Sequence, residues 1–272
     1  MTVLITGSRG AVARNLIGLL RERGHALRAA SSRPADPDTV RCDLTDPSTF
    51  ATALKGVTSV FLYAEPSRID AFIEEAAGAG VEHVVLLSSS AVLAPDAADS
   101  PVARTHLDVE RALDASSIPA TSLRPGSFAS NALAWSRLLP GRPISLPFPG
   151  AHSDPIHEAD VAEAALAVLT DPGPGGRPYT LTGPESLTFA EQIDILSRVT
   201  GRPFSVRHVT REEWKSEMAD HVPAAFADSL LDWWEAHDGS PVELTASVRE
   251  LTGRPARTFA TWARDHAGDF RA

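Results

Sequence analysis

Thr2-Val-Leu-Ile-Thr-Gly-Ser-Arg-Gly-Ala-Val-Ala-Arg-Asn-Leu-Ile17 opens the chain, and its reading decides the fold. Val3-Leu4-Ile5 has the character of a buried strand. It runs into the turn Gly7-Ser8-Arg9-Gly10, and from Ala11 to Leu20 apolar residues recur at helical spacing. Gly24 suits the left-handed position that ends such a helix. Strand, glycine turn and helix in that order set backbone N–H groups and a helix N-terminus where a pyrophosphate binds. Gly7, Ser8, Arg9, Gly10, Ala11 and Val12 are therefore candidate cofactor contacts. The bland alternative is a glycine turn that binds nothing. Gly7-x-x-Gly10-x-x-Ala13 carries alanine at its third position, which still lets helix and strand pack closely.

Outward from this turn the rhythm repeats. Strands are predicted over 25–30, 40–43, 57–63, 84–87 and 120–123, with helices over 47–54, 68–79 and 102–115 between them. Such alternation means parallel strands joined by right-handed crossovers, hence an α/β, doubly wound Rossmann sheet. The proline-rich stretch 139–149 cannot sit inside a sheet and marks a boundary region. A loop follows at 171–176, and helical patterns lie at 159–169, 189–200, 211–219 and 226–236. The expected organisation is a Rossmann domain over 1–130. A smaller, mostly helical substrate-binding region over 131–272 follows, with part of 151–182 returning to the first domain.

Composition narrows the class. Of the 272 residues, 43% are hydrophobic and 22% charged, as in ordinary globular proteins. A net charge of −10 argues against nucleic acid as partner. No cationic leader and no apolar run of membrane-spanning length is read, so the expected location is cytoplasmic, away from membranes. Cys42 is the single cysteine, which excludes an internal disulfide and multi-cysteine metal sites, and no histidine spacing points to a metal. A monomer or homodimer is expected.

The second strand decides the dinucleotide, because a carboxylate at its end holds the ribose diol of NAD and a cation holds the 2′-phosphate of NADP. Here the segment reads Arg28-Ala-Ala-Ser31-Ser32-Arg33 with no carboxylate, which selects NADP(H) through Ser32 and Arg33. Arg9 can add a second cation. Asp43 either accepts from the adenine amino group, with Leu44 against the ring, or caps the following segment. Ala64 and Glu65, Ser88, and Pro125-Gly126-Ser127-Phe128 follow later strands at the edge where Rossmann ligands sit.

Four segments together resemble the atypical, NmrA-like branch of the short-chain dehydrogenase/reductases, with its quinone and triarylmethane reductases. They are Thr6-Gly-Ser-Arg-Gly10, Gly80-Val-Glu-His-Val-Val-Leu-Leu-Ser-Ser89, Leu123-Arg-Pro-Gly126 and Tyr179-Thr-Leu-Thr-Gly-Pro184. The resemblance implies an NAD(P)H-dependent oxidoreductase. It also exposes a departure. Tyrosine-dependent members use a Tyr-x-x-x-Lys pair as proton donor. The tyrosines here are Tyr63 and Tyr179 and the lysines Lys55 and Lys215, and no such pair forms. Matching Glu110 to the glutamate of that helix puts His106 at the lysine position and Val102 at the tyrosine position.

His106 is thus a candidate for holding the nicotinamide ribose or passing a proton, with Glu110 at i+4 to orient it. Tyr63, at a strand end, either reaches the nicotinamide with its hydroxyl or packs in the core. Ser89 and Ser90 are candidate hydrogen-bond donors to a substrate carbonyl. Phe128, Trp135, Trp214 and Trp233 suit a pocket for a flat aromatic substrate, although aromatic residues at helical spacing are more often core. Trp233 and its neighbour Trp234 cannot both face one side of a helix. Without the usual acid, the expected reaction delivers hydride from NADPH to a quinone, polycyclic aromatic ketone or similar conjugated acceptor, whose reduced form is a delocalised anion. A redox-sensing regulator that binds NADP(H) without turnover is the alternative, and an isomerase or epimerase is a third reading.

Overall fold

Strand and helix alternate in the computed structural model as β1 (Thr2–Ile5), α1 (Ala11–Glu22), β2 (Ala26–Ser31), β3 (Val40–Arg41), α2 (Phe50–Leu54), β4 (Ser59–Tyr63), α3 (Ile69–Gly78), β5 (His83–Leu87), α4 (Pro101–Asp114) and β6 (Ala120–Pro125). After these come α5 (Leu133–Ser136), β7 (Ile144–Leu146), β8 (His152–Ser153), α6 (Glu158–Thr170), β9 (Tyr179–Leu181), β10 (Leu187–Thr188), α7 (Phe189–Thr200) and β11 (Val206–His208). α8 (Arg211–Met218), α9 (Ala224–Ala236), α10 (Ser247–Thr252) and α11 (Phe259–Asp265) complete the order. The structure describes residues 1–136, 143–171 and 175–270. Part of the proline-rich stretch, 139–142, and residues 172–174 of the loop expected at 171–176 lie outside them.

Two compact units result. The first gathers Met1–Pro125, Glu158–Leu181 and Ser247–Arg254; the second gathers Gly126–His157, Thr182–Ala246 and the chain from Pro255 onward.

The first unit is built on a seven-stranded sheet in the order β3-β2-β1-β4-β5-β6-β9, with every pairing parallel. This is the doubly wound sheet expected from the alternation. Val3, Leu4 and Ile5 are fully buried, as both faces of a parallel sheet require. On one face α1 buries Val12, Ala13, Leu16, Ile17 and Leu20 and packs on α6. α6 buries nearly its whole circumference, from Val161 to Leu169, which is how a helix apolar all round is satisfied. On the other face Phe50 meets Phe72 edge-on at 5.2 Å among Leu54, Val60, Leu62, Leu86 and Val109. Strand order reverses between β1 and β4, and the crevice at such a switch point, beyond the strands' carboxyl ends, is where open α/β sheets bind ligands.

The expected helix over 47–54 begins as a 3₁₀ turn, Pro47–Thr49, capped by Asp46, and becomes α-helical only at Phe50. The return of Ser247–Arg254 to the first unit had no counterpart in the sequence reading.

The second unit adds short sheets to its helices. β7 and β11 pair in parallel, and β8 and β10 antiparallel. Capping boxes start α7 at Thr188 with Glu191, and α8 at Thr210 with Glu213. Among the described residues no helix is long and apolar enough to cross a membrane.

Candidate cofactor site

The glycine turn is fastened at the carboxyl edge of the sheet. Thr6 N donates to Phe61 O at 3.0 Å, the Thr6 hydroxyl accepts from Tyr63 N at 2.8 Å, and Ser8 N donates to Ala30 O at 2.9 Å. Gly7 has φ +58°, a conformation that favours glycine, and Gly10 N closes the turn on Gly7 O at 2.8 Å. A Cβ on Gly10 would lie 2.6 Å from the Tyr63 hydroxyl. No side chain caps the start of α1 and its first turn carries no acidic residue, so its orphan N–H groups and positive dipole end are available to an anion. The cradle fits a dinucleotide pyrophosphate.

At the end of β2, the buried Ser31 hydroxyl accepts from Arg33 N at 3.2 Å and shapes a turn that leaves Ser32 and Arg33 exposed. Arg9 is exposed in the adjoining loop. Arg28 is not available to a ligand, because its guanidinium donates to Ala53 O and Lys55 O at 2.7 and 2.8 Å. Asp43 does not cap the next segment, whose cap is Asp46, but closes a local turn. Its carboxylate accepts from the Thr45 hydroxyl at 2.7 Å and from Thr45 N at 3.1 Å, and these bonds hold its pKa below the ordinary value, helped by Arg41 and Arg33. Leu44 packs partly buried against the core of the first unit.

The residues after β5 need correction. Ser88 was read as a cofactor contact, but it is 2% exposed and donates its proton to Glu110 Oε1 at 2.5 Å. Glu110 also takes Arg124 in a two-pronged pair, Nε at 3.0 Å and Nη2 at 2.5 Å. Its carboxylate is thereby saturated, and it ties α4 to β5 and β6 instead of orienting His106. His106 Nδ1 is buried without a hydrogen-bond partner. Burial lowers the His106 pKa against the opposing pull of Glu110, so the imidazole is neutral at pH 7. Such an orphaned ring nitrogen fits a site that a ligand completes. Ser89 caps the following 3₁₀ turn by accepting from Ala91 N at 3.2 Å, which leaves its proton to donate; Ser90 is half-buried.

The Tyr63 ring lies on Gly7 and Gly10 of the glycine turn. Ala64 and Glu65 are half-buried beside it, and Glu65 accepts from Ser67 N at 2.9 Å.

In the second unit the turn after β6 is pinned by a residue that no motif in the sequence announces. Asp154, 7% exposed, accepts from Ser127 N at 2.9 Å, and a Cβ on Gly126 would fall 1.8 Å from its carboxylate. Burial pushes the Asp154 carboxyl up to about 6. Phe128 bridges Ile156 and is half-buried. Glycine at 126 within Arg-Pro-Gly was the available signal of that close approach.

The aromatic residues divide. Trp214, expected at a substrate pocket, is 5% exposed in a core with Val209, Ala227 and Leu231, its ring edge-on to Trp234 at 5.1 Å. It is a packing residue. Trp234 also meets Phe189 at 5.0 Å, whereas Trp233 turns away, half-buried, and stacks on His237 at 4.3 Å. Trp135 is half-buried against Phe189 at 6.3 Å.

Residues 7–172 match the family model described as NAD(P)H-binding. A (4-alkanoyl-5-oxo-2,5-dihydrofuran-3-yl)methyl phosphate reductase of Streptomyces griseus is 36% identical, over 98% of this chain and 99% of its own. An NAD(P)H azoreductase of Xenophilus azovorans is 30% identical over 99% of each. In fold, an NADPH-dependent quinone oxidoreductase of Escherichia coli superposes with a TM-score of 0.82 at 21% identity, covering 97% of this chain and 99% of that one. The chain belongs to the NAD(P)H-binding family and, by these full-length reductase relatives, is an NAD(P)H-dependent oxidoreductase of the NmrA-like kind.

Proposed function

We propose that the protein is an NADPH-dependent reductase of electron-poor conjugated acceptors: quinones, polycyclic aromatic ketones, or alkenes activated by carbonyl groups. The carrying observation is that α4 bears no Tyr-x-x-x-Lys pair: with Glu110 matched to the family's glutamate, Val102 and His106 take those two positions. Addition to an isolated ketone produces a strongly basic alkoxide that needs a positioned acid. A conjugated acceptor produces a delocalised anion that water protonates later. The name of the Streptomyces griseus relative describes such an acceptor, a ring alkene flanked by an alkanoyl group and the ring carbonyl.

In this reading Gly7–Val12 hold the pyrophosphate, and Arg9, Ser32 and Arg33 hold the 2′-phosphate. Asp43 and Leu44 border the adenine. Ala64, Glu65 and Pro125 line the path of the cofactor. Bound NADPH supplies the hydride. His106 fixes the nicotinamide ribose, and Ser89 and Ser90 donate to the acceptor's carbonyl.

The test is loss of NADPH absorbance on adding a panel of quinones, aromatic ketones and acyl-butenolides. Turnover is expected, and His106→Ala lowers it by roughly 10- to 100-fold, less than the upper range for loss of a general acid. Silence across the panel, with tight NADPH binding in the same sample, would overturn the reading in favour of a redox-sensing regulator.

A further inference from the structure

Tyr63 ends β4, and its backbone is held by the Thr6 hydroxyl, so the ring projects from a rigid strand end. The ring lies flat enough on the glycine turn that a Cβ on Gly7 would fall 2.8 Å from Cδ2, and one on Gly10 would fall 2.6 Å from the phenolic oxygen. Gly10 is the cap residue just before α1, so the phenol reaches the helix N-terminus, near the charge of Arg14. Among the described residues the Tyr63 hydroxyl has no hydrogen-bond partner. The phenol is thus a half-buried polar group on a rigid strand end, aimed at an uncapped helix start and left by the chain to solvent or to a ligand.

We propose that the Tyr63 hydroxyl donates a hydrogen bond to a non-bridging oxygen of the cofactor's pyrophosphate, so that a side chain at the end of β4 grips the diphosphate together with the backbone of the glycine turn. The inference rests on the family's NAD(P)H site and adds to it a residue that neither the turn motif nor the expected nicotinamide contact accounts for. Partial burial raises the phenol's pKa against the opposing charge of Arg14, so the proton stays on the oxygen at neutral pH and the group acts as donor. The glycines acquire a second reason to be glycines: a methyl group at either position would strike the Tyr63 ring.

The test compares Tyr63→Phe with the unmodified protein by titration calorimetry. The three ligands are NADPH, 2′-phospho-ADP-ribose, which keeps the pyrophosphate but lacks nicotinamide, and adenosine 2′-monophosphate, which lacks both phosphates of the pyrophosphate. Phenylalanine keeps the ring on the turn, so the cofactor-free melting temperature should not move. Affinity for NADPH and for 2′-phospho-ADP-ribose should fall together, by roughly 10-fold, as for a hydrogen bond to a charged group, with the monophosphate unaffected. Unchanged affinity for all three would overturn the proposal, as would weakening of NADPH alone, which would return Tyr63 to the nicotinamide end. If the unmodified protein bound none of the three, the cofactor reading itself would fall, and this proposal with it.

Discussion

Asp154→Asn isolates the cost of a buried carboxylate in the turn after β6. The carboxyl is 7% exposed and has risen from 3.8 to about 6, chiefly by desolvation, against the opposing pull of the Ser127 N–H, its own backbone N–H and the charge of His237. A pKa raised in the folded state means that the native protein keeps a proton which the unfolded chain releases. Stability therefore declines as pH rises from about 4 to about 6, and is level above that. Each tenfold change in acidity is worth about 1.4 kcal/mol, so the full cost at neutral pH is about 3 kcal/mol at most. Asparagine retains an oxygen for Ser127 N and carries no charge. Urea unfolding from pH 4 to 8 should show the variant matching the parent at the acid end and exceeding it by up to about 3 kcal/mol at the other. Parallel curves for the two proteins would refute the reasoning, because the pH dependence would then arise elsewhere.

Arg33→Ala should lower NADPH affinity by about 10-fold and leave NADH affinity unmoved, closing most of the gap between them in a fluorescence titration. Glu110→Gln leaves the Arg124 guanidinium partly buried and unpaired, and should cost about 3–5 kcal/mol in chemical denaturation; unaltered stability would show that the Ser88–Glu110–Arg124 cluster is not what ties α4 to the sheet.

The first unit was legible because its signals are local and repeated. Val3-Leu4-Ile5, the glycine turn and the apolar faces of α1 and α3 each declare their element without help from distant residues. The turn after β2, with Ser32 and Arg33 on it, was legible for the same reason. What escaped depends on partners far along the chain. Glu110 reads on its helix as a neighbour of His106, yet Ser88 and Arg124, 22 and 14 residues away, claim its carboxylate. Asp154 meets Ser127 across 27 residues, and helical spacing alone could not assign Trp214 to a core. Ser247–Thr252, a short helix with a single buried residue, Val248, has too little apolar periodicity to announce that it rejoins the first unit.

The interrupted make-up of that first unit constrains its birth on the ribosome. Strands β1 to β6 emerge first, but α6, which covers α1, and β9, which pairs with β6, lie after the 32-residue stretch Gly126–His157. Until they arrive, the face of α1 that α6 covers and the open edge of β6 are turned to solvent or a chaperone, a state prone to aggregation. A nascent chain stalled before residue 158 should therefore behave as a sticky intermediate, and one released after β9 as a closed sheet.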